Sequence, residues 1–445
     1  MFSQPRATST ERLDDPPVAP AKTPTIVPIL SAPAELEARF RQVRARSLAL
    51  RAPLSVEDCA LQSMPDASPV KWHLAHSTWF FETFVLSLAR PPQPAFDDAF
   101  LQLFNSYYEA LGPRPPRDER GLQSRPSLVE VEAYRHAIDA RVSRLLAEAP
   151  SAEILRRVEI GIQHEQQHQE LLLTDILHAL SRSARYPAYR EEARRADRNE
   201  IARSPLAFVP GPTGIVRLGH DDRGFAFDNE GPSHRVFLEP HALGTRVLTN
   251  REALAFIEAG GYREPSWWLS AGFDFVLREG VTAPLYWTRR DDRWQRFSLD
   301  GLVDLDLDAP VCHVSYYEAD ALARFVGARL PTEAEWEATA KTTRVTGNFA
   351  ESERFSPAAV APTGGVDQLF GDVWEWTSSS YTAYPGYRAE GGALGEYNGK
   401  FMVGQQVLRG GSCFSPEAHL RASYRNFFPP SARWQMSGVR VARSL

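Results

Sequence analysis

The sequence predicts a multidomain α and α+β protein in which an N-terminal four-helix bundle precedes an α+β domain. Three observations carry this. At 445 residues the chain is long for a single core. Four stretches of helical spacing fall within roughly its first 180 residues. From Phe208 onward short β-like runs alternate with Gly, Pro, Asn and Asp.

In chain order, residues 1–31 are rich in Pro, Thr, Ser and Ala and read as a disordered or extended tail. Residues 32–200 are assigned to the bundle and 201–445 to the α+β domain. The first helix spans Ala32 to Leu48 with Leu36, Phe40, Val43 and Leu48 inward. The second begins near Pro69 and carries Trp72-His-Leu-Ala-His-Ser-Thr-Trp-Phe-Phe-Glu-Thr-Phe84. After Asn105-Ser-Tyr-Tyr-Glu-Ala-Leu-Gly112 and an Arg- and Pro-rich segment, Ser127-Leu-Val-Glu130 opens the third helix as a capping box. The fourth carries His164 and is read over the stretch from Gly161 to Leu177. Residues 181–204, dominated by Arg, Glu and Ala, read as a solvated helix or linker. In the second domain, strands are expected at Ile215–Gly219 and His234–Leu238, and helices near Asn250–Ala259 and Ser315–Val326.

Composition narrows the function classes. An apolar content of 43% with 24% charged residues is that of a soluble globular protein. A net charge of −6 argues against nucleic-acid and anionic-membrane partners. No window approaches the apolar length of a membrane span, and no secretory leader is evident. Cys59, Cys312 and Cys413 lie far apart without a C-x-x-C pair, which speaks against a disulfide framework or structural zinc and for the cytoplasm. P-loop and G-x-S-x-G signatures are absent, so nucleotide-dependent and serine-hydrolase chemistry is set aside.

The stretch with most chemistry is Gly161-Ile-Gln-His-Glu-Gln-Gln-His-Gln-Glu170. On a helix, His164 and His168 project from one face and can share a metal ion. A catalytic metal needs a further ligand and open positions. In the bundle, the second helix offers His73 and His76, one turn apart. Imidazoles alone do not select the metal, since zinc and copper favour the same nitrogens as Fe(II).

The Trp72–Phe84 element together with H-E-Q-Q-H-Q-E resembles the DinB-like domain of the ergothioneine-biosynthesis sulfoxide synthases, the EgtB family. Pro310-Val-Cys-His-Val-Ser-Tyr-Tyr-Glu-Ala319, Arg329-Leu-Pro-Thr-Glu-Ala-Glu-Trp-Glu337, Gly371-Asp-Val-Trp-Glu-Trp-Thr377 and Leu408-Arg-Gly-Gly-Ser412 are similar to the formylglycine-generating-enzyme-like domain, a C-type-lectin-like fold. The resemblance implies that His76, His164 and His168 bind non-haem Fe(II), with His73 a neighbour. It implies a reaction that joins a thiol sulfur to C2 of hercynine using O2 and leaves a sulfoxide. Gln167 would help position the hercynine imidazole, and Asn426 its carboxylate or ammonium end. Phe427 offers an aromatic face suited to a quaternary ammonium. The tight turns and indoles of Gly371–Trp376 and Arg409–Ser412 are expected to hold the fold and not to touch substrate.

Two departures bear on the thiol. Relatives that use γ-glutamylcysteine carry an Asp after R-N-W, where this chain has Phe428. They also place a Tyr in P-Y-x-x-Y, where Leu394-Gly-Glu-Tyr397 keeps only the second Tyr. Both departures favour cysteine over γ-glutamylcysteine. Tyr107 and Tyr108 resemble the bundle tyrosines that give a proton or electron in the cysteine-using subgroup. Among Arg114, Arg117, Arg120 and Arg125, Arg117 is taken as the partner of the thiol substrate's carboxylate. Alternatives are a related selenium- or sulfur-transferring enzyme acting on hercynine or histidine, and a non-catalytic binding module. A copper-dependent formylglycine-generating activity lacks its close cysteine pair around Cys413, with His419 nearby.

Overall fold

The computed structural model describes residues 32–106, 108–112, 114–190 and 205–445. The expected tail, most of the Arg- and Glu-rich segment, and Tyr107 lie outside the described residues. In the N-terminal domain, α1 (Pro33–Arg51) starts with proline at its first turn, where the missing N–H costs nothing. Leu36 and Phe40 are buried, while Val43 and Leu48 are half-buried against the same core. Every residue of α2 (Val70–Phe80) is buried, and the helix widens into a π-turn over Phe81–Val85. A short α3 (Asp98–Leu103) follows. In α4 (Leu128–Ala147) the expected capping box is formed, Ser127 and Glu130 satisfying each other's backbone amides.

α5 (Ala152–Ser181) is longer than its sequence suggests. It begins at the Ser151 cap and not at Gly161, which lies within it. A Cβ at Gly161 would stand 2.4 Å from Phe81 Cε1, so the glycine permits the π-turn to approach α5. α1 packs on α5 and α4, and α2 on both α4 and α5. Their shared core includes Phe40, Trp79, Phe81, Ile138 and Leu172.

The second domain is built from short sheets with four helices. β1 (Phe208–Pro210), β4 (His241–Gly244) and β12 (Ala442–Ser444) form one sheet in the order β1-β4-β12, while β2 (Gly214–Leu218) and β3 (His234–Leu238) form a separate hairpin. β5 (Trp287–Arg290), β6 (Arg293–Ser298) and β7 (Gly301–Asp304) form a meander. The central sheet has the order β10-β9-β8-β11, from β8 (Trp374–Ser380), β9 (Gln406–Arg409), β10 (Asn426–Phe428) and β11 (Ser437–Gly438), the last pairing in parallel with β8. α6 (Asn250–Glu258) and α8 (Tyr316–Phe325) match expectation, whereas α7 (Ser270–Glu279) and α9 (Glu333–Ala340) were not foreseen. Trp336 and Trp376 are fully buried and donate to Glu375 and the Val314 carbonyl, which makes the tryptophan-rich motifs part of the core. Among the described residues no helix is long and apolar enough to cross a membrane.

Candidate metal centre

Helical geometry sets the site. Positions 164, 167 and 168 share one face of α5, and 73 and 76 share one face of α2, which packs on α5. One ring nitrogen from each of His76, His164 and His168 lies within 4.8 Å of the others. Nδ1 of His76 donates to the Phe104 carbonyl at 2.6 Å, so its Nε2 carries the lone pair. That Nε2, and Nδ1 of His164, are buried without a hydrogen-bond partner. Buried imidazole nitrogens without a partner are costly unless something coordinates them, and a metal ion fits this donor set.

Electrostatics agree with the geometry. Burial pushes His76 and His168 well below the ordinary imidazole range, and their histidine neighbours add to this. Burial lowers His164 to about 3, although Glu165 works in the other direction. All three rings are therefore neutral near pH 7, the form that ligates. Trp72 and Trp79 stack on His76 with centroids at 4.5 and 5.4 Å, and Phe80 packs on His164 at 4.6 Å. These rings fix the imidazole planes.

The second domain closes over the same face of α5. Gln167 donates through Nε2 to Tyr424 Oη at 2.7 Å and accepts through Oε1 from Tyr397. The Tyr397 ring lies 5.7 Å from that of His164. One turn further on, Glu170 accepts from Trp374 Nε1 at 2.6 Å, Ser412 Oγ at 2.7 Å and Ser415 Oγ at 2.6 Å. Burial raises the pKa of this carboxyl, opposed by those three donors. Ser412 of the R-G-G-S motif thus holds the bundle as well as its own fold.

The remaining expected residues are placed as follows. Tyr108 is fully buried against Trp79 and Phe84. Asn426 is half-buried on β10 opposite Leu408, its Oδ1 accepting from the Phe427 amide at 2.9 Å. Phe427 stacks on Tyr381 at 3.9 Å and Phe428 meets Trp434 edge-on at 6.0 Å, both contacts within the second domain. Arg117 sits at the surface, where it donates to the Asp66 carbonyl and pairs with its carboxylate at 3.9 Å.

Arg120 is instead drawn inside, 5% exposed, with its guanidinium 3.5 Å above the Trp72 ring. It donates to the hydroxyls of Ser68 and Ser106, and lines a cleft with Lys71, Trp72 and Arg125. Burial, with help from Arg117, lowers its pKa to about 9, so it stays charged near neutrality. Sequence reading named it only as one of four arginines. Tyr424, Glu170 and the contacts of His73 had no sequence signal, because each depends on a partner far along the chain.

Comparison with known proteins adds a second line. Residues 39–172 match the DinB superfamily, and residues 195–364 and 360–445 match the sulfatase-modifying factor enzyme 1-like domain. Hercynine oxygenase of Mycolicibacterium thermoresistibile is 31% identical over 92% of this chain and 94% of its own. That of Mycobacterium tuberculosis is 31% identical over 93% and 99%. The formylglycine-generating enzyme of Streptomyces coelicolor is 28% identical but covers only 52% of this chain and 84% of its own. Since both domains are matched and relatives 31% identical cover more than nine-tenths of this chain, the chain belongs to the EgtB-like family of hercynine oxygenases.

Proposed function

We propose that this protein is a non-haem Fe(II) oxygenase that couples cysteine to C2 of the hercynine imidazole, with O2, to give the sulfoxide. The observation that carries the reading is the buried His76, His164 and His168 set, with a lone-pair nitrogen unsatisfied, beside a glutamine held by two phenols. Thiol, imidazole C–H and O2 contain the atoms of a C–S(=O) product plus one water, so the overall change needs no outside reductant. An Fe(II) ion on the three imidazoles would supply the redox chemistry and the positions that gather the reactants.

The chain's own residues then bind and orient. Gln167, fixed at both ends of its amide, presents a rigid polar edge next to His164, suited to the hercynine ring. Asn426 and Phe427 are proposed for hercynine's carboxylate or ammonium end, because a trimethylammonium donates no hydrogen bond and is best met by aromatic faces. Phe428, apolar and half-buried, offers nothing to a γ-glutamyl carboxylate, which supports cysteine. For the thiol substrate's carboxylate, the buried Arg120, which makes no ion pair among the described residues, is a better partner than Arg117, which is engaged with Asp66. Tyr107 and Tyr108 are the proposed proton or electron donors. The three free and buried cysteines suit a reducing compartment such as the cytoplasm.

An assay with Fe(II), hercynine and either cysteine or γ-glutamylcysteine, in air and under nitrogen, tests this. Sulfoxide formed from cysteine, only in air and only with iron, is expected by mass spectrometry. Full product without O2 would sink the proposal.

A further inference from the structure

Beside the three proposed ligands lies a polar chain that the reaction does not itself require. Nδ1 of His168 is 2.9 Å from Nδ1 of His73, and Nε2 of His73 is 3.0 Å from Asp175 Oδ2. The same Oδ2 accepts the Ser68 backbone N–H at 2.7 Å, and the Ser68 hydroxyl accepts from Arg120 at 2.9 Å. His73, Asp175 and Ser68 are all 5% exposed or less, so water does not compete for these bonds.

The direction of each bond follows from the acceptor at the end. Asp175 Oδ2 already accepts from an amide that can only donate, and as a carboxylate oxygen it takes a second proton donor, Nε2–H of His73. With its ring proton on Nε2, His73 has its lone pair on Nδ1. The partner at 2.9 Å must supply the proton, which places N–H on Nδ1 of His168 and leaves the His168 lone pair on Nε2. The reverse order would put a proton on the nitrogen meant for the metal. Metal-bound imidazoles are commonly oriented by such an outer partner, whose loss costs tenfold to a hundredfold in affinity.

We infer that His73 and Asp175 are positioning residues which fix His168 as its Nε2-ligating tautomer, and that Ser68 ties this chain to Arg120. The inference rests on the metal-site reading above and deepens it. No role as a fourth ligand is given to His73, because its Nδ1 is spent on His168.

The test uses cobalt(II) as the probe with the full-length protein. Affinity is read by chelator competition, and the imidazole N–H protons by their hyperfine-shifted NMR signals. Wild type should show a slowly exchanging N–H signal for His168. His73→Ala and Asp175→Ala should lose that signal and bind cobalt about 10- to 100-fold more weakly. His73→Gln, whose amide oxygen can still accept from His168, should recover most of the affinity. Should the alanine variants not fold, His73→Phe and His73→Gln carry the comparison, the former, with no acceptor for His168, losing the signal and the latter keeping it. Unchanged affinity with an unchanged N–H spectrum in folded His73→Ala or His73→Phe overturns the inference alone. Failure of the wild-type protein to bind cobalt removes the metal site and the inference with it.

Discussion

Glu165, between the two histidines in sequence neighbourhood but a different side of α5, gives the sharpest stability prediction. Its carboxylate accepts from Arg44 Nη1 at 2.7 Å, from Ser47 Oγ at 2.6 Å, and from Arg135 Nη2. Glu165 and Arg135 are wholly buried and Arg44 nearly so. Burial works to raise the Glu165 pKa, yet Arg135 and Arg44 outweigh it and hold the group at about 2. In Glu165→Ala, Arg44 keeps Asp139 at 2.6 Å, whereas Arg135 is left with the Arg44 carbonyl at 2.8 Å and the Ser77 hydroxyl at 3.4 Å. Because one guanidinium and not two is stranded, the cost of about 3–5 kcal/mol for breaking a buried pair applies once. That is a large part of a typical stability of about 5–15 kcal/mol. Urea unfolding followed by far-UV circular dichroism measures it. Replacing Glu165 and Arg135 together by apolar residues of similar volume should restore most of the loss, since Arg44 keeps Asp139 and no buried guanidinium is then left unpaired. A single Glu165→Ala loss below about 1 kcal/mol would show that the triad is not what anchors α5.

Three further outcomes follow from the same contacts. Gly161→Ala gains about 1 kcal/mol of helix propensity but drives a methyl into Phe81 at an overpacking cost of about 1–3 kcal/mol, so no net gain and a loss of up to about 2 kcal/mol are expected in the same unfolding experiment. The metal-free protein should lose stability as pH falls below about 6.5, where unfolded histidines take up protons that the buried rings, with lowered pKa values, refuse. The unfolded state then binds more protons than the native one, so the slope is about 1.4 kcal/mol per pH unit for each such ring, continuing for His164 towards pH 3; a flat profile from pH 7 to 5 contradicts this. Arg120→Leu should raise KM for the thiol substrate about tenfold or more, while Arg117→Leu changes it less than twofold, as judged by steady-state O2 uptake.

What could be read from sequence was local. The His164 and His168 spacing, the Ser127 capping box and the inward Leu36 and Phe40 all depend on contacts within a few turns, and each is present in the fold. The stretch singled out for its histidines opens at Gly161, yet the helix runs back to the Ser151 cap, so this glycine lies inside it. Its value at position 161 lies in the absent side chain, which only the approach of Phe81 explains. Arg120 could not be separated from Arg117 for a similar reason: three positions apart on a short 3₁₀ turn (Arg117–Leu122), one meets Asp66 at the surface and the other meets Trp72 inside. Tyr424 and Gln167 are 257 residues apart. No spacing rule reaches that far.

The role of the second domain follows from how α5 uses its circumference. Turning about 100° per residue, the helix sends Glu165 into the bundle core, His164 and His168 towards α2, and Gln167 and Glu170 towards the second domain. A shift of the second domain along α5 would break the Glu170 bonds to Trp374, Ser412 and Ser415 together with the Gln167 bonds to Tyr397 and Tyr424. The residues proposed to recognise substrate are therefore registered to the histidine nitrogens through one rigid helix and not through a flexible interdomain surface. Positioning at this level matters most where several reactants must meet, because misplacement by about 1 Å can cost a hundredfold in rate. The buried Arg44, Glu165 and Arg135 cluster, which has no place in the chemistry, serves the same end by fixing the rotation of α5 in the bundle.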